Sequence, residues 1–399
     1  MRILIVGSDA NAYYLAKQLS ELEKVDLVFV APGNSKIEGF ATNVDIREDD
    51  VEEILEFAKA NEISLTIPVS EKAIASSVVD VFNKEKINIF GPTLDSARMA
   101  LFKSSAKKLL YKLRVQTPKF GIFDKENAAI DYIRRSKYPL VLKNDVHIDG
   151  DFPVFVETFP KAKYQVERFF EDFNKKLVIE DFVNAKEATL YFLTDGYAAL
   201  PIGSVCSKKF DNNGLGQEFL NTKSAFSPDY FISAELESKI MSRVIYPLLD
   251  DVAKHSSPYV GILGVDVFTG GNNFQILEFN PFFRECDFQA ILPLLKENIL
   301  ELFMAAIYGS LADDYNHLAF SAKVSYSIEL ALKEKFEEDE DMLYSYGSSN
   351  RVIITSVAST LGIASERLKD YVATICSVDS LSEEAFNFNK GARDLEPER

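Results

Sequence analysis

Two acids and an amide lie close together in one apolar stretch of the sequence. The stretch GVDVFTGGNNFQILEFN runs from Gly264 to Asn280, and the turn TGGNN separates its two apolar segments. The first segment carries Asp266, and the second carries Glu278 and Asn280. Side chains two residues apart in a strand share one face, so Glu278 and Asn280 point the same way, and a hairpin can place Asp266 beside them.

Such oxygen-rich side chains on neighbouring strands suit a hard cation. Mg²⁺ is usually held by one or two carboxylates together with substrate phosphates, and a bound ion would relieve the repulsion between Asp266 and Glu278. The alternative is that two unrelated acids lie on a solvent-facing sheet edge. The flanking Val265 and Ile276 favour a half-buried sheet instead. The residue types alone leave both interpretations open.

Charge and composition exclude several classes of protein. The 399 residues include 44 Lys and Arg against 61 Asp and Glu, which gives a net charge of −17. Nucleic-acid binders normally present a basic surface, so we expect no nucleic-acid partner. No apolar run reaches the roughly 18–20 residues of a membrane span, so we expect no membrane partner. Three dispersed cysteines, and a start that is typical of a first strand, predict a cytoplasmic protein.

The elements that must position these residues begin with an α/β pattern. Up to about residue 93, the apolar segments RILIVG, VDLVFVAPGN, SLTIPV and INIFGPT alternate with helical ones such as AIASSVVDVFNKEK. This alternation favours an open parallel sheet. Ligands of such sheets bind beyond the carboxyl ends of the strands, which predicts one crevice lined by residues 8–11, 32–34 and 68–71.

After about residue 98, the pattern of predicted helices and strands becomes typical of an α+β protein. SARMALFKSSAKKLLYKLRV predicts one helix with a basic face, and ATLYFLTDGYAALPIGSV predicts a hairpin. A long loop is expected at about 207–228, before the stretch that carries Asp266. The last part, from about 319, opens with the strand AFSAKVSYSIEL and closes with the helix ASERLKDYVATICSV. The fold class predicted is therefore a combination of α/β and α+β parts.

In its motifs the chain resembles the ATP-grasp enzymes, most of which are carboxylate–amine ligases. An acid followed, after a turn, by (I/L)-E-x-N resembles their magnesium site, which would be Asp266, Glu278 and Asn280 here. LFKSSAKKLL and YPLVLKND resemble the segments with the two phosphate-facing lysines, which would be Lys103 and Lys143.

The segment LVIEDFVNAKEATLYF resembles the adenine-binding hinge of the same enzymes. The resemblance implies that Glu180, Asp181, Phe182 and Val183 line the base, partly through their backbone. It also implies that Glu187 meets the ribose hydroxyls.

Among ATP-grasp enzymes, the resemblance is strongest to the phosphoribosylamine–glycine ligases, also called glycinamide ribonucleotide synthetases. MRILIVGS, VFVAPGN, IFGPT, ILEFN and the terminal NRVIITSVASTLGIASERLKDYVATI match at corresponding places. This implies an N-terminal domain (1–97), an ATP-grasp core (98–315) with a lid lobe at about 117–185, and a C-terminal domain (316–399). It also implies ATP and Mg²⁺, or Mn²⁺ in its place, small-molecule carboxylate and amine substrates, and a monomer or homodimer.

The substrate loops depart from the family pattern. SDANAYY, after the first strand, has no basic residue, and the family's glycine-rich lid after Lys143 becomes NDVHIDGDFP at 144–153. That segment brings Asp145, Asp149 and Asp151, which are expected to repel ATP phosphates unless a metal ion intervenes. A lid that cradles phosphate through backbone N–H groups needs glycine for their close approach.

Three basic residues remain near the expected substrate region. Lys208 and Lys209 stay in the loop after LPIGSV, and Arg284 appears two positions after the place where Phe282 replaces the family's arginine. All three are candidates for holding a carboxylate or an acyl phosphate, with solvated loop cations as the alternative.

The resemblance and the departures together predict an ATP-dependent carboxylate–amine ligase that works through an acyl phosphate on an altered substrate. The alternatives are a phosphoribosylamine–glycine ligase with the family's own substrates, and an ATP-grasp-like scaffold without activity.

Overall fold

The structure, a computed structural model, describes residues 1–146, 153–172, 176–209, 222–227, 231–270, 273–331, 336–347 and 351–375. Its first part is a parallel sheet flanked by helices. The elements are β1 (Arg2–Gly7), α1 (Ala10–Ser20), β2 (Leu27–Pro32), β3 (Thr42–Asn43), α2 (Val51–Ala60), β4 (Leu65–Pro68), α3 (Glu71–Ala75) and α4 (Val78–Lys84). The strand order is β3-β2-β1-β4 with every pair parallel, which confirms the predicted open sheet.

Two details of this part differ from the prediction. The segment INIFGPT does not form a strand, and Ile89 makes a single parallel bridge to Thr66 instead. The helix predicted for AIASSVVDVFNKEK is divided into α3 and α4, because Ser77 has a φ of 66°, which a right-handed helix cannot continue.

The second part holds a small antiparallel sheet. The elements are α5 (Leu94–Leu101), α6 (Lys103–Lys112), β5 (Phe120–Phe123), α7 (Glu126–Arg135), β6 (Leu140–Asn144), β7 (Val154–Val156), α8 (Phe159–Asp172) and β8 (Leu177–Asp181). The strand order is β5-β8-β6-β7. The single basic helix predicted here is wrong, because Phe102 is extended (φ −125°, ψ 115°) and separates α5 from α6. Lys103 consequently begins a helix.

The third part is built on one eight-stranded sheet. The elements are β9 (Lys186–Asp195), β10 (Ala199–Lys209), β11 (Thr222–Phe226), α9 (Ala234–Ile240), α10 (Tyr246–His255), β12 (Val260–Gly270), β13 (Asn273–Asn280), α11 (Asp287–Ile291), α12 (Ile299–Tyr308), α13 (Leu311–Asp314), β14 (Val324–Ala331), β15 (Met342–Tyr346), β16 (Arg351–Ala358) and α14 (Leu361–Ile375). A π-helical turn joins α9 to α10, and a 3₁₀ turn follows α11.

The order of the large sheet is β13-β12-β9-β10-β11-β14-β16-β15. The predicted β9–β10 hairpin is confirmed. The predicted loop at 207–228 contains β11, which pairs with β10 on one side and β14 on the other. The predicted domain limits stay predictions, and the eight-stranded sheet crosses the one at 315.

One shared core fixes the loop after β13 against the first sheet. Phe283 and Phe288 stack with ring centroids 4.8 Å apart, and Phe288 packs edge-on against Tyr14 of α1 at 6.0 Å. Phe90 stacks on Phe303 of α12 at 3.9 Å. Burial of such aromatic rings is strongly stabilising, so this loop is held firmly beside α1. Within the described residues, no helix is long and apolar enough to cross a membrane.

Candidate active site

The hairpin of β12 and β13 brings the two predicted acids together. Asp266 pairs directly with Glu278 across the antiparallel ladder, and Gly264 pairs with Asn280. Residues directly opposite in such a pair share a face, so the three polar side chains lie together. A β-bulge between Asp266 and Val267 sets this register, which a regular hairpin counted from the turn would not give. Asp266 is 0% exposed, whereas the Glu278 side chain is 30% exposed. Asp266 therefore does not face solvent, whereas Glu278 lies on the edge strand of the sheet and is partly exposed.

The carboxylate of Asp266 is surrounded by hydrogen-bond donors. Its Oδ1 accepts from the Thr189 hydroxyl at 2.5 Å and lies 3.3 Å from Arg284 Nη2. Its Oδ2 accepts from Asn280 Nδ2 at 3.2 Å and from Arg284 Nη1 at 3.4 Å. Burial raises the pKa of Asp266, and the Arg284 guanidinium acts against that increase. Three hydrogen bonds and a further contact with the guanidinium thus engage an acid that the sequence assigns to a metal ion.

Arg284 is fixed on several sides by groups of the chain itself. Its Nε donates to Asp287 Oδ2 at 3.1 Å, and its Nη2 donates to Ser207 Oγ at 2.9 Å and to Thr189 Oγ1. Although burial opposes the change, Asp266 and Asp287 raise the pKa of Arg284 well above its ordinary value. The predicted role of Arg284 in holding a substrate carboxylate or acyl phosphate stays a prediction.

Asp287 is held as firmly as the arginine it binds. The Tyr191 hydroxyl donates to its Oδ2 at 2.6 Å, and the Ser224 hydroxyl donates to its Oδ1. The backbone N–H of Arg284 in turn donates to the Tyr191 hydroxyl at 3.2 Å. A Cβ at Gly264 would lie 2.8 Å from the Tyr191 ring, so glycine leaves the room that this tyrosine needs.

Two buried lysines meet one buried glutamate beside the hairpin. Lys107 Nζ lies 3.0 Å from Glu180 Oε1, and Lys143 Nζ lies 3.2 Å from Glu180 Oε2. Lys143 Nζ also lies 3.7 Å from Glu278 Oε2, so the predicted phosphate-facing lysine and the predicted metal ligand are neighbours. Burial lowers the pKa of Lys107. For Lys143, burial acts the same way, but Glu278 and Glu180 outweigh it and raise the pKa.

Sequence reasoning missed Lys107. It lies on the face of α6 that also buries Ala106 and Leu110, and its Nζ donates to the Leu277 carbonyl of β13 at 2.9 Å. A helix in a globular protein buries residues spaced three and four apart. A lysine three positions before Leu110 on that face was the available signal, and the unbroken basic helix predicted for this segment concealed it.

Lys103 and Asp145 meet at the start of α6. The Lys103 N–H donates to the Asp145 carbonyl at 2.9 Å, and the Asp145 carboxylate accepts from the Ser104 N–H at 2.7 Å and its hydroxyl at 2.9 Å. Such a carboxylate satisfies N–H groups that a helix start leaves unpaired. The expectation that Asp145 points at phosphates is corrected: it is 5% exposed and points into the helix.

The charges around Glu278 keep it ionised. Burial acts to raise the pKa of Glu278, but Lys143 and then Lys103 outweigh it and lower the pKa to about 2. Both lysines that the sequence assigns to phosphate therefore lie within electrostatic reach of this acid. The structure brings together the predicted lysines and one predicted metal ligand.

The predicted adenine hinge lies at the end of β8. Both oxygens of the Glu180 carboxylate contact lysines, Lys107 and Lys143. This carboxylate is therefore placed to position the two lysines and not to contact a nucleotide. The backbone N–H groups of Asp181 and Phe182 donate to carbonyl groups of neighbouring segments, and Val183 is half-buried. The Phe182 ring is 44% exposed and packs edge-on against Phe155 at 5.0 Å. That ring offers an apolar surface to a base.

Glu187 lies at the start of β9, opposite Phe268 of β12. Its side chain opens to solvent. Partial removal of the carboxyl group from water and, after it, the negative charge of Asp266 raise the pKa of Glu187 to about 7.

Two predicted features fall outside the described residues. Lys208 and Lys209 end β10, where Lys208 pairs with Lys223, but their side chains are not among those described. Residues 147–152 of the predicted lid, which include Asp149 and Asp151, also lie outside. The predicted roles of these residues stay predictions.

The predicted crevice of the first sheet is present. The Ser8 and Ser70 hydroxyls donate to the two oxygens of Glu48, at 2.9 and 2.6 Å. The Asn34 side chain donates to the Ser8 carbonyl at 3.2 Å. The three segments that follow β1, β2 and β4 therefore meet at the carboxyl ends of the strands.

The N-terminus of α1 in this crevice is filled by an acid from another part of the chain. The Ala10 N–H donates to Glu285 Oε1 at 2.8 Å, and the Asn11 side chain donates to the Phe283 carbonyl at 2.9 Å. Asp9 caps the same helix through the Ala12 N–H. Burial, and then the charge of Glu285, raise the pKa of Asp9 well above its ordinary value.

A magnesium ion fits part of the hairpin. Glu278 has exposed surface, and Asn280 adds a side-chain oxygen on the same face. Asp266 does not fit while Arg284 engages it. In the described parts of the chain, no three His, Cys, Asp or Glu side chains form a group that could hold a metal ion. An ion here would therefore depend on phosphate oxygens for further ligands, which is usual for Mg²⁺.

The small sheet, the large sheet and the charged side chains that meet between them define an ATP-grasp protein, and the family profiles agree. The profile "Phosphoribosylglycinamide synthetase, ATP-grasp (A) domain" matches residues 102–290, and the one for the N domain of the same synthetase matches residues 1–100. The chain belongs to the phosphoribosylglycinamide synthetase family.

Relatives and solved structures point the same way. The phosphoribosylamine–glycine ligase of Pasteurella multocida is 32% identical over 323 residues, 78% of this chain and 74% of the relative. That of Haemophilus influenzae is 28% identical over 99% of this chain and 94% of the relative. The crystal structure of the Thermotoga maritima phosphoribosylamine–glycine ligase has a TM-score of 0.73, with 17% identity, over 93% of this chain and 96% of that one.

Proposed function

We propose that the protein is a ligase that uses ATP to join glycine to phosphoribosylamine. The observation that carries the proposal is the family match over residues 1–100 and 102–290, together with relatives that bear the name phosphoribosylamine–glycine ligase. The sequence alone favours an altered substrate. The relatives give more support to the family's own substrates, so these come first.

The residues of the cleft fit this chemistry. Lys143 and Lys103 would neutralise phosphate charge, and Phe182 would lie against adenine. Glu278 and Asn280 would hold Mg²⁺, which supplies charge neutralisation at the phosphates when bound. The substrate carboxylate would attack the γ-phosphorus and displace ADP, and the amine would then attack the acyl carbonyl, lose a proton and displace phosphate. Positioning and electrostatics carry most of the rate in such transfers.

Two measurements test the proposal. A ligand at 100 times its Kd stabilises a fold by about 2.7 kcal/mol, so millimolar MgATP should raise the melting temperature by several degrees. Phosphate release should then require phosphoribosylamine and glycine together. The absence of any melting shift would favour the inactive scaffold. A shift without release on these two substrates would favour the second candidate.

The second candidate is a ligase of the same mechanism with a different amine. It is supported by the filled N-terminus of α1. A helix N-terminus is well suited to bind phosphate, but here Glu285 takes that position, with Asp9 and Glu48 nearby. Release of phosphate with glycine and an unphosphorylated amine, but not with phosphoribosylamine, would establish this candidate.

A further inference from the structure

We infer that Arg284 is a built-in counter-ion of Asp266 that takes the place a divalent cation would need, so that the nucleotide's metal ion is held through Glu278 and not through Asp266. The metal half of this inference rests on the proposed function, because it requires a nucleotide–metal complex in the cleft. The counter-ion half concerns the protein alone.

The carboxylate of Asp266 is occupied by groups of the chain itself. An ionised carboxylate offers about four lone-pair positions. Three are used, by Arg284 Nη1 at 3.4 Å, by Thr189 and by Asn280, and Arg284 Nη2 adds an ion-pair contact at 3.3 Å. An ion approaching Asp266 would have to displace at least one of them. Asp266 is also 0% exposed, which leaves no surface for a hydrated ion.

Displacing Arg284 from Asp266 would cost much free energy. Its guanidinium also serves Asp287, which is 1% exposed and receives hydrogen bonds from Tyr191 and Ser224. Withdrawing the arginine would leave two buried acids without a counter-charge. Removal of one partner from a buried ion pair is strongly destabilising, since the remaining charge is not solvated.

Glu278 differs from Asp266 in its exposure and its contacts. Its side chain is 30% exposed, and its closest ion-pair partner, Lys143, is 3.7 Å away, beyond ordinary hydrogen-bond distance. It lies opposite Asp266 on the same face, yet it keeps room for a ligand on its open side. The two acids of the hairpin therefore have different tasks: Asp266 fixes Arg284, and Glu278 keeps exposed surface for a ligand.

A double-mutant cycle in the ligand-free protein tests the counter-ion half. Arg284→Met and Asp266→Asn should each lower the melting temperature. The decrease in the double variant should be smaller than the sum of the two single decreases. The matched control is Arg47→Met with Asp49→Asn, an Arg–Asp pair at 2.9 Å whose side chains are 76% and 31% exposed. Its cycle should show little coupling. Strictly additive losses at Arg284 and Asp266 would overturn the inference.

Mn²⁺ binding tests the metal half. Free Mn²⁺ is measured by electron paramagnetic resonance in the presence of a non-hydrolysable ATP analogue. Asp266→Asn should leave the Mn²⁺ Kd within about threefold of the wild-type value, whereas Glu278→Gln should raise it by about tenfold or more, a difference of about 1.4 kcal/mol or more. An equal loss in both variants would overturn the inference. A wild-type protein that binds no Mn²⁺–nucleotide would overturn the metal half and the proposed function together, and the melting cycle would still decide on the ion pair.

Discussion

Lys107 Nζ lies 3.0 Å from Glu180 Oε1, and both side chains are almost completely buried, at 1% and 3% exposed. Glu180 in turn holds Lys143 on its other oxygen. The pair thus helps to hold Lys143, which lies 3.7 Å from Glu278. It is a contact between helix α6 and strand β8, two elements of the second part of the chain.

Lys107→Met should destabilise the protein by about 3 kcal/mol, because removing one partner of a buried ion pair leaves the other with less compensation. Lys143 should also become less well positioned, so the MgATP Kd should rise. Thermal melting and nucleotide titration measure both effects. The control is Lys108→Met, the next residue of the same helix, which is exposed. Equal melting of the two variants would show that the pair contributes nothing.

The hairpin with the acids was predictable, whereas their partners were not. The two-residue spacing puts Glu278 and Asn280 on one face, which is a local property of the sequence. The pairing of Asp266 with Glu278 depends in addition on a β-bulge between Asp266 and Val267, which the turn TGGNN does not predict. Arg284 reaches Thr189 and Ser207 across separations of 95 and 77 residues. Such contacts depend on the order of strands in the sheet, which local patterns do not determine.

The start of α6 illustrates a different failure. The segment from Ser96 to Val115 has good helix-forming residues throughout, so propensity predicts one helix. Tertiary contacts override it at Phe102, which bridges Val146 in the adjoining segment. With the break unpredicted, neither the cap by Asp145 nor the burial of Lys107 could be inferred.

Loss of the cap at α6 should weaken the protein modestly. Asp145→Ala removes the acceptor of the Ser104 N–H and hydroxyl, and such changes typically cost about 1 kcal/mol. Because Lys103 is the first residue of that helix, the MgATP Kd should rise as well. The conservative Asp145→Asn keeps an acceptor oxygen and should lose less in both measurements. An alanine variant that binds MgATP more tightly than the wild type would revive the view that Asp145 repels phosphate.

The pKa of Glu278 predicts a specific acid sensitivity. Its folded pKa of about 2 lies below the ordinary 4.5, so its contribution to the free energy of unfolding is complete above about pH 4.5 and is lost as the pH falls through about 2. The difference corresponds to about 3 kcal/mol. Glu278→Gln lacks this titration. Melting curves from pH 6 to pH 2.5 should therefore show the wild-type advantage shrinking, and a constant gap would contradict the assignment.

Glu285 provides the test that separates the two candidate functions most directly. In Glu285→Gln the amide oxygen can still accept from the Ala10 N–H, so the fold should keep its melting temperature within a few degrees. The negative charge at the N-terminus of α1 is removed, however, and a phosphate-bearing amine should then bind more tightly, by about tenfold for about 1.4 kcal/mol of repulsion. The KM for phosphoribosylamine should fall while that for an unphosphorylated amine stays constant. If neither KM changes, the crevice at α1 does not receive the amine substrate, and the support for the second candidate is removed.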